Sequence, residues 1–170
     1  HSLYPIEASE EGRRFTLAHG DARAEGHILY GRDGFAEQSV GFPHPPGTNR
    51  DNAAKLYPDQ YHYRYSTLRP GINHRFGVLL CPGHASLRPA KVTRMPAASA
   101  DAFAVKHAGG EDVVLVTTGR SIQWGDWMSD AAALVLLGGG ESPRRVLALG
   151  GTTVRCADRD VECWGSGRME

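Results

Sequence analysis

The densest run of side chains able to do chemistry is Tyr61-His62-Tyr63-Arg64-Tyr65. Side chains alternate along a strand, so here the three tyrosines share one face and His62 and Arg64 share the other. Tyrosine rings stack on the apolar faces of pyranose rings, and His and Arg pair with carboxylate or sulfate groups. Such a strand suits an acidic polysaccharide, unless the tyrosines pack into a core and leave His62 and Arg64 solvated. A second aromatic cluster, Trp124-Gly125-Asp126-Trp127, is either a turn whose tryptophans cap one end of a sandwich or another sugar platform. The candidate substrate-binding residues are therefore Tyr61, His62, Tyr63, Arg64, Trp124 and Trp127.

Proton abstraction beside a carboxylate needs an acid, a base and a carboxylate clamp, roles that His62, Tyr63 and Arg64 could fill. A regular strand places Tyr63 opposite His62, however, so only a bulge or twist would let them converge. The eight histidines never form HxH, HxxxH or HExxH, which favours surface or hydrogen-bonded histidines over a metal site. GxSxG, P-loop and GxGxxG signatures are missing from the sequence, and Glu10-Glu11 lies in a polar opening unsuited to the fixed geometry of glycoside hydrolysis. No catalytic residue is assigned. Cys81 sits in an apolar run and reads as a buried thiol, whereas Cys156 and Cys163 flank a polar turn that would permit a disulfide if the geometry is right.

The elements that must position these residues are short. The chain has 21 Gly and 10 Pro among 170 residues, and the apolar segments between them are mostly of strand length. Alternation predicts strands over residues 14–19, 26–30, 61–66, 75–81, 90–95, 102–107, 112–117, 131–137, 144–149 and 152–156. Residues 129–137 have helix propensity, but Gly138-Gly139-Gly140 would end a helix after about two turns, so a strand is expected. About ten short strands without long helical patterns predict an all-β fold, an antiparallel β-sandwich, formed by residues 1–170 as a single domain. The C-terminal half reads as a meander of hairpins turning at residues 106–111, 138–143 and 150–151. Residues 41–60, rich in proline and polar side chains, form a long loop beside the tyrosine strand.

Lys+Arg and Asp+Glu number 19 each, so no global field recruits nucleic acid. The longest apolar runs fall far short of the ~20 residues of a membrane-spanning helix, and no membrane partner is expected. The first residues lack the basic start and apolar core of a signal peptide. A chain opening on His1 without an initiator Met reads as a mature product or an excised fragment.

Three stretches together resemble the C-terminal region of heparinase II/III-like polysaccharide lyases. They are Arg14-Phe15-Thr16-Leu17-Ala18-His19-Gly20-Asp21-Ala22-Arg23, then His74-Arg75-Phe76-Gly77-Val78-Leu79-Leu80-Cys81-Pro82, and finally Trp127-Met128-Ser129-Asp130-Ala131-Ala132-Ala133-Leu134-Val135 followed by Arg145-Val146-Leu147-Ala148-Leu149-Gly150-Gly151-Thr152. Members of that family join a helical toroid to β-sandwich domains and cleave uronic-acid polysaccharides by β-elimination. The resemblance implies that this chain is the C-terminal fragment of a larger enzyme: a noncatalytic supporting domain that packs on the catalytic domain and borders its substrate cleft through residues 41–65. It implies an acidic polysaccharide as the ligand of the parent enzyme and a periplasmic or secreted location. It implies no cofactor in this chain and leaves room for a metal ion in the parent. No catalytic or zinc residue of the family maps onto these positions. The alternative is an autonomous carbohydrate-binding module, in which the tyrosine strand and the tryptophan turn are both exposed.

Overall fold

A computed structural model describes residues 2–9, 11–30, 34–41, 59–68, 75–140, 142–157 and 159–160. The chain is all-β, with antiparallel pairing throughout, and divides into two compact units, His1–Leu87 and Arg88–Glu170. Among the described residues no helix is long and apolar enough to cross a membrane.

In the first unit, β1 (Ile6–Ser9), β2 (Arg14–His19), β3 (Ala22–Ile28) and β6 (Val78–His84) form a sheet in the order β1-β2-β3-β6. β4 (Gly34–Val40) and β5 (Tyr61–Thr67) form a separate antiparallel pair. Pro82 lies inside β6, opposite Ala24. A proline lacks the N–H that a central strand must donate, and β6 is a sheet edge where that loss is tolerated.

The second unit is a sandwich. Its larger sheet comprises β7 (Lys91–Met95), β8 (Ala100–His107), β9 (Gly110–Thr117), β12 (Ala133–Leu137) and β13 (Arg145–Leu149), in the order β13-β12-β9-β8-β7. The register aligns Ala102, Leu115, Leu134 and Ala148 in one row, and Val113, Leu136 and Val146 in the next. The smaller sheet comprises β10 (Ile122–Trp124), β11 (Trp127–Ser129), β14 (Val154–Cys156) and β15 (Arg159–Asp160). Its Ile122, Trp127 and Val154 pack with both rows of the larger sheet in one buried cluster. Alternation therefore sends every second side chain of both sheets into a shared core, which is the physical basis of a sandwich.

The all-β expectation holds, and residues 131–137 give a strand rather than a helix. Two details differ from the pattern expected of the sequence. Residues 150–151 do not turn a hairpin, because β14 leaves the β12–β13 sheet and pairs with β11. β1, β4, β10, β11 and β15 were not expected as strands: they are short or rich in residues of weak β propensity, and their pairing partners stabilise them.

The two units differ in what they bury. Every buried apolar residue of the described chain lies between Ala90 and Val154. In the first unit the buried described residues are Gly12, Glu25, Gly26 and His27. Its apolar side chains are conspicuous at the surface instead: Phe76, Val78 and Leu80, at alternate positions, are 49 %, 46 % and 61 % exposed.

Candidate functional site

The tyrosine run forms β5, as its alternation requires. Tyr63 reaches inward, its ring 4.9 Å from that of Phe15 on β2 and its hydroxyl donating to the carbonyl of Gly12. Burial, then the neighbouring Tyr65 hydroxyl, pushes the Tyr63 phenol up from its ordinary value. Tyr65 meets Phe76 edge-on at 6.4 Å. Tyr61 is fixed through its backbone, which exchanges two hydrogen bonds with Ser2 at 2.8 and 2.9 Å. On the other face, Arg64 stands opposite Glu37 of β4, with Nε donating to Oε2 at 2.8 Å, and His62 Nε2 lies 2.7 Å from the Gly41 carbonyl. Tyr63 and Tyr65 thus hold the β4–β5 pair through ring contacts within the unit, while Arg64 remains largely exposed. His62, Tyr63 and Arg64 are sequential on a regular paired strand, with no bulge interrupting its register. Residues 42–58 of the expected loop lie outside the described residues, as does Cys163 of the candidate disulfide; Cys156 is a free thiol.

The tryptophans belong to the second unit. Trp124 and Trp127 face each other directly across the β10–β11 hairpin, whose two-residue turn is Gly125-Asp126. Gly125 has φ +54°, the left-handed conformation that glycine adopts without a Cβ clash. Trp127 is buried in the core and its Nε1 donates to the Gly140 carbonyl at 2.8 Å. Trp124 is half-buried and its ring lies against Gly140, where a Cβ would come within 2.5 Å of Cη2. The two indoles therefore have different duties: one is a core side chain, and the other presents surface.

Beside them opens a cleft of about 510 Å³ lined by Trp124, Gly125, Asp126, Trp127, Gly140 and Cys156. This size lies within the range of small-ligand sites, ~300–1,000 Å³. The sequence signals Trp124 and Trp127, but it cannot show that Asp126 joins the lining. Nor can it show that β14 brings Cys156 alongside through its pairing with Trp127.

A second polar constellation lies in the first unit. Glu25 is almost completely buried, with Oε2 3.1 Å from an Arg14 nitrogen and 3.7 Å from His27 Nε2, and Oε1 3.0 Å from an Arg23 nitrogen. The same Arg23 group donates to the Leu87 carbonyl at 2.7 Å. These residues share one face because β3 alternates Arg23, Glu25 and His27, and the register sets Arg14 opposite His27. Charged residues at every second position of a strand were the available signal. A carboxylate whose two oxygens are each held by an arginine is a structural clamp, since its oxygens are already engaged.

Among the described residues, no three His, Cys, Asp or Glu side chains converge as a metal site would require. The chain matches no family model and no curated protein.

Proposed function

We propose that this chain is a noncatalytic supporting domain of a polysaccharide lyase that acts on uronic-acid polysaccharides by β-elimination, and that its first unit docks on the parent's catalytic domain. The supporting observation is the inverted burial of that unit. A charged group occupies its interior, whereas Phe76, Val78 and Leu80 form an exposed apolar strip along the edge strand β6. Edge strands with uncovered apolar side chains are templates for association unless a partner covers them. A catalytic domain in the same polypeptide would supply that cover, and the resemblance of the stretch His74–Pro82 to the lyase family falls on this strip.

Hydrogen exchange tests the docking. In the native polypeptide, amides of residues 78–84 should exchange far more slowly than in the 170-residue chain alone. Equal exchange in both would remove the docking surface and the reading with it.

A second reading, carbohydrate binding by the chain itself, is supported by the tryptophan cleft rather than by the tyrosine strand. Tyr63 and Tyr65 are occupied by Phe15, Gly12 and Phe76, whereas Trp124 borders open space.

A further inference from the structure

The cleft of the second unit contains two polar groups that the fold does not use. Trp127 Nε1–H is committed to Gly140, but the Trp124 indole N–H and the Asp126 carboxylate have no partner among the described residues. Asp126 is fully on the surface of a two-residue turn, and its backbone carbonyl is held by the Ala157 N–H at 2.8 Å, so the carboxylate projects from a fixed point. Trp124 is equally fixed, because Gly140 leaves room for its ring and the core cluster packs against it. An immobile aromatic face, a free donor and a free acceptor thus border one cleft of about 510 Å³. Among the described residues, none that lines it is basic.

The geometry points to this cleft as a binding site for a neutral pyranose of an oligosaccharide. The apolar face of one sugar ring stacks on Trp124, a hydroxyl donates to Asp126, and a hydroxyl at the indole edge accepts from Nε1–H. An acidic sugar is the wrong ligand here. Its carboxylate would meet the Asp126 carboxylate, a repulsion that no described lining residue relieves. The site rests on the carbohydrate-binding reading and narrows its ligand. Uronate chemistry then belongs to the parent's catalytic domain, and neutral-sugar binding to the second unit.

Isothermal titration and tryptophan fluorescence of the full chain test this with cellohexaose, maltohexaose and mannohexaose, against hexagalacturonate and tetramethylammonium. At least one neutral hexasaccharide should bind with an affinity insensitive to salt, and hexagalacturonate more weakly than that one. Trp124→Ala and Asp126→Ala should each weaken binding by roughly tenfold or more, the effect expected of a residue central to an interface. Because Trp124 also touches the core, Trp124→Phe provides a folded control and should retain part of the affinity. Asp126→Lys should raise the affinity for hexagalacturonate. The proposal is overturned if no neutral hexasaccharide binds, if hexagalacturonate or tetramethylammonium binds more tightly, or if both alanine variants bind normally. None of these results bears on β-elimination by the native polypeptide, so the two readings fail separately.

Discussion

Replacing Gly140 by Ala probes the architecture of the tryptophan cleft directly. A Cβ at this position would lie 2.5 Å from Trp124 Cη2, 2.8 Å from Cζ3 and 3.4 Å from Val113 Cγ2. Carbon atoms rest at roughly 3.5–4.0 Å, so the indole must retreat by about 1 Å. It cannot do so freely, because Trp124 packs against the core cluster. Overpacking of this kind costs about 1–3 kcal/mol. Movement of the Gly140 carbonyl also weakens the hydrogen bond from Trp127, a contribution of about 0.5–1.5 kcal/mol. The smaller entropy of an unfolded Ala chain offsets roughly 0.4–1 kcal/mol. A net loss of about 0.5–4 kcal/mol follows, which for a unit of this size lowers Tm by ~4–8 °C for each kcal/mol. Thermal and urea unfolding, followed by tryptophan emission, should show the loss together with altered native emission. A Gly140→Ala variant as stable as the parent, with unchanged emission, would refute the placement of Trp124 over Gly140.

Leu134→Ala, at a fully buried position in the sandwich, should destabilise the second unit by about 2–5 kcal/mol in urea unfolding. Glu25→Ala should cost the first unit about 3 kcal/mol or more, because it leaves Arg14 and Arg23 facing a buried site without their carboxylate; circular dichroism on denaturation reads this loss. Asp130 accepts hydrogen bonds from the Thr152 and Thr153 amides and the Thr152 hydroxyl, and these bonds hold its carboxyl below the ordinary value of 3.8. Its contribution is therefore complete above that pH and fades as pH falls below it, so Asp130→Ala should flatten the acid limb of the stability profile. The raised phenol of Tyr63 acts in the opposite direction: its contribution is present below pH 10.0 and disappears as pH rises further, and Tyr63→Phe should abolish that alkaline step in thermal scans.

The all-β class was legible because Gly and Pro divide the chain into alternating segments of strand length. The core strands of the second unit were legible for the same reason: Val113, Leu115, Leu134 and Leu136 recur at period two. What alternation cannot reveal is which sheet a strand joins. β14 has the pattern of a partner for β13 but pairs with β11, a choice fixed by Asp130 bonding to Thr152 and Thr153 and by Gly151. At Gly151, φ is +80° and a Cβ would lie 2.6 Å from the Ala131 nitrogen. Such a constraint exists only in three dimensions.

The candidate site was legible in part. The sequence singles out Tyr61, His62, Tyr63, Arg64, Trp124 and Trp127 by type, and the structure distributes them over two units with distinct roles. Tyr63 serves the packing of β5, Arg64 pairs across to Glu37, and Trp127 serves the core. Trp124 keeps an accessible face, and Asp126 beside it gains meaning only when the cleft is seen. The Glu25 clamp was legible only in part: Arg23, Glu25 and His27 alternate on β3, but Arg14 lies on a different strand, and only the register unites them.

The most direct test of the supporting-domain reading is the release of unsaturated uronate, followed by ultraviolet absorbance, when the native polypeptide is given uronic-acid polysaccharides. Leu80→Asp serves as the paired variant, since it places a charge in the exposed strip on β6. The native polypeptide should generate the unsaturated product, and Leu80→Asp should lower this activity and the melting temperature of the catalytic domain together. Absence of unsaturated product from the native polypeptide, or full activity and stability in the Leu80→Asp variant, would contradict the supporting-domain reading.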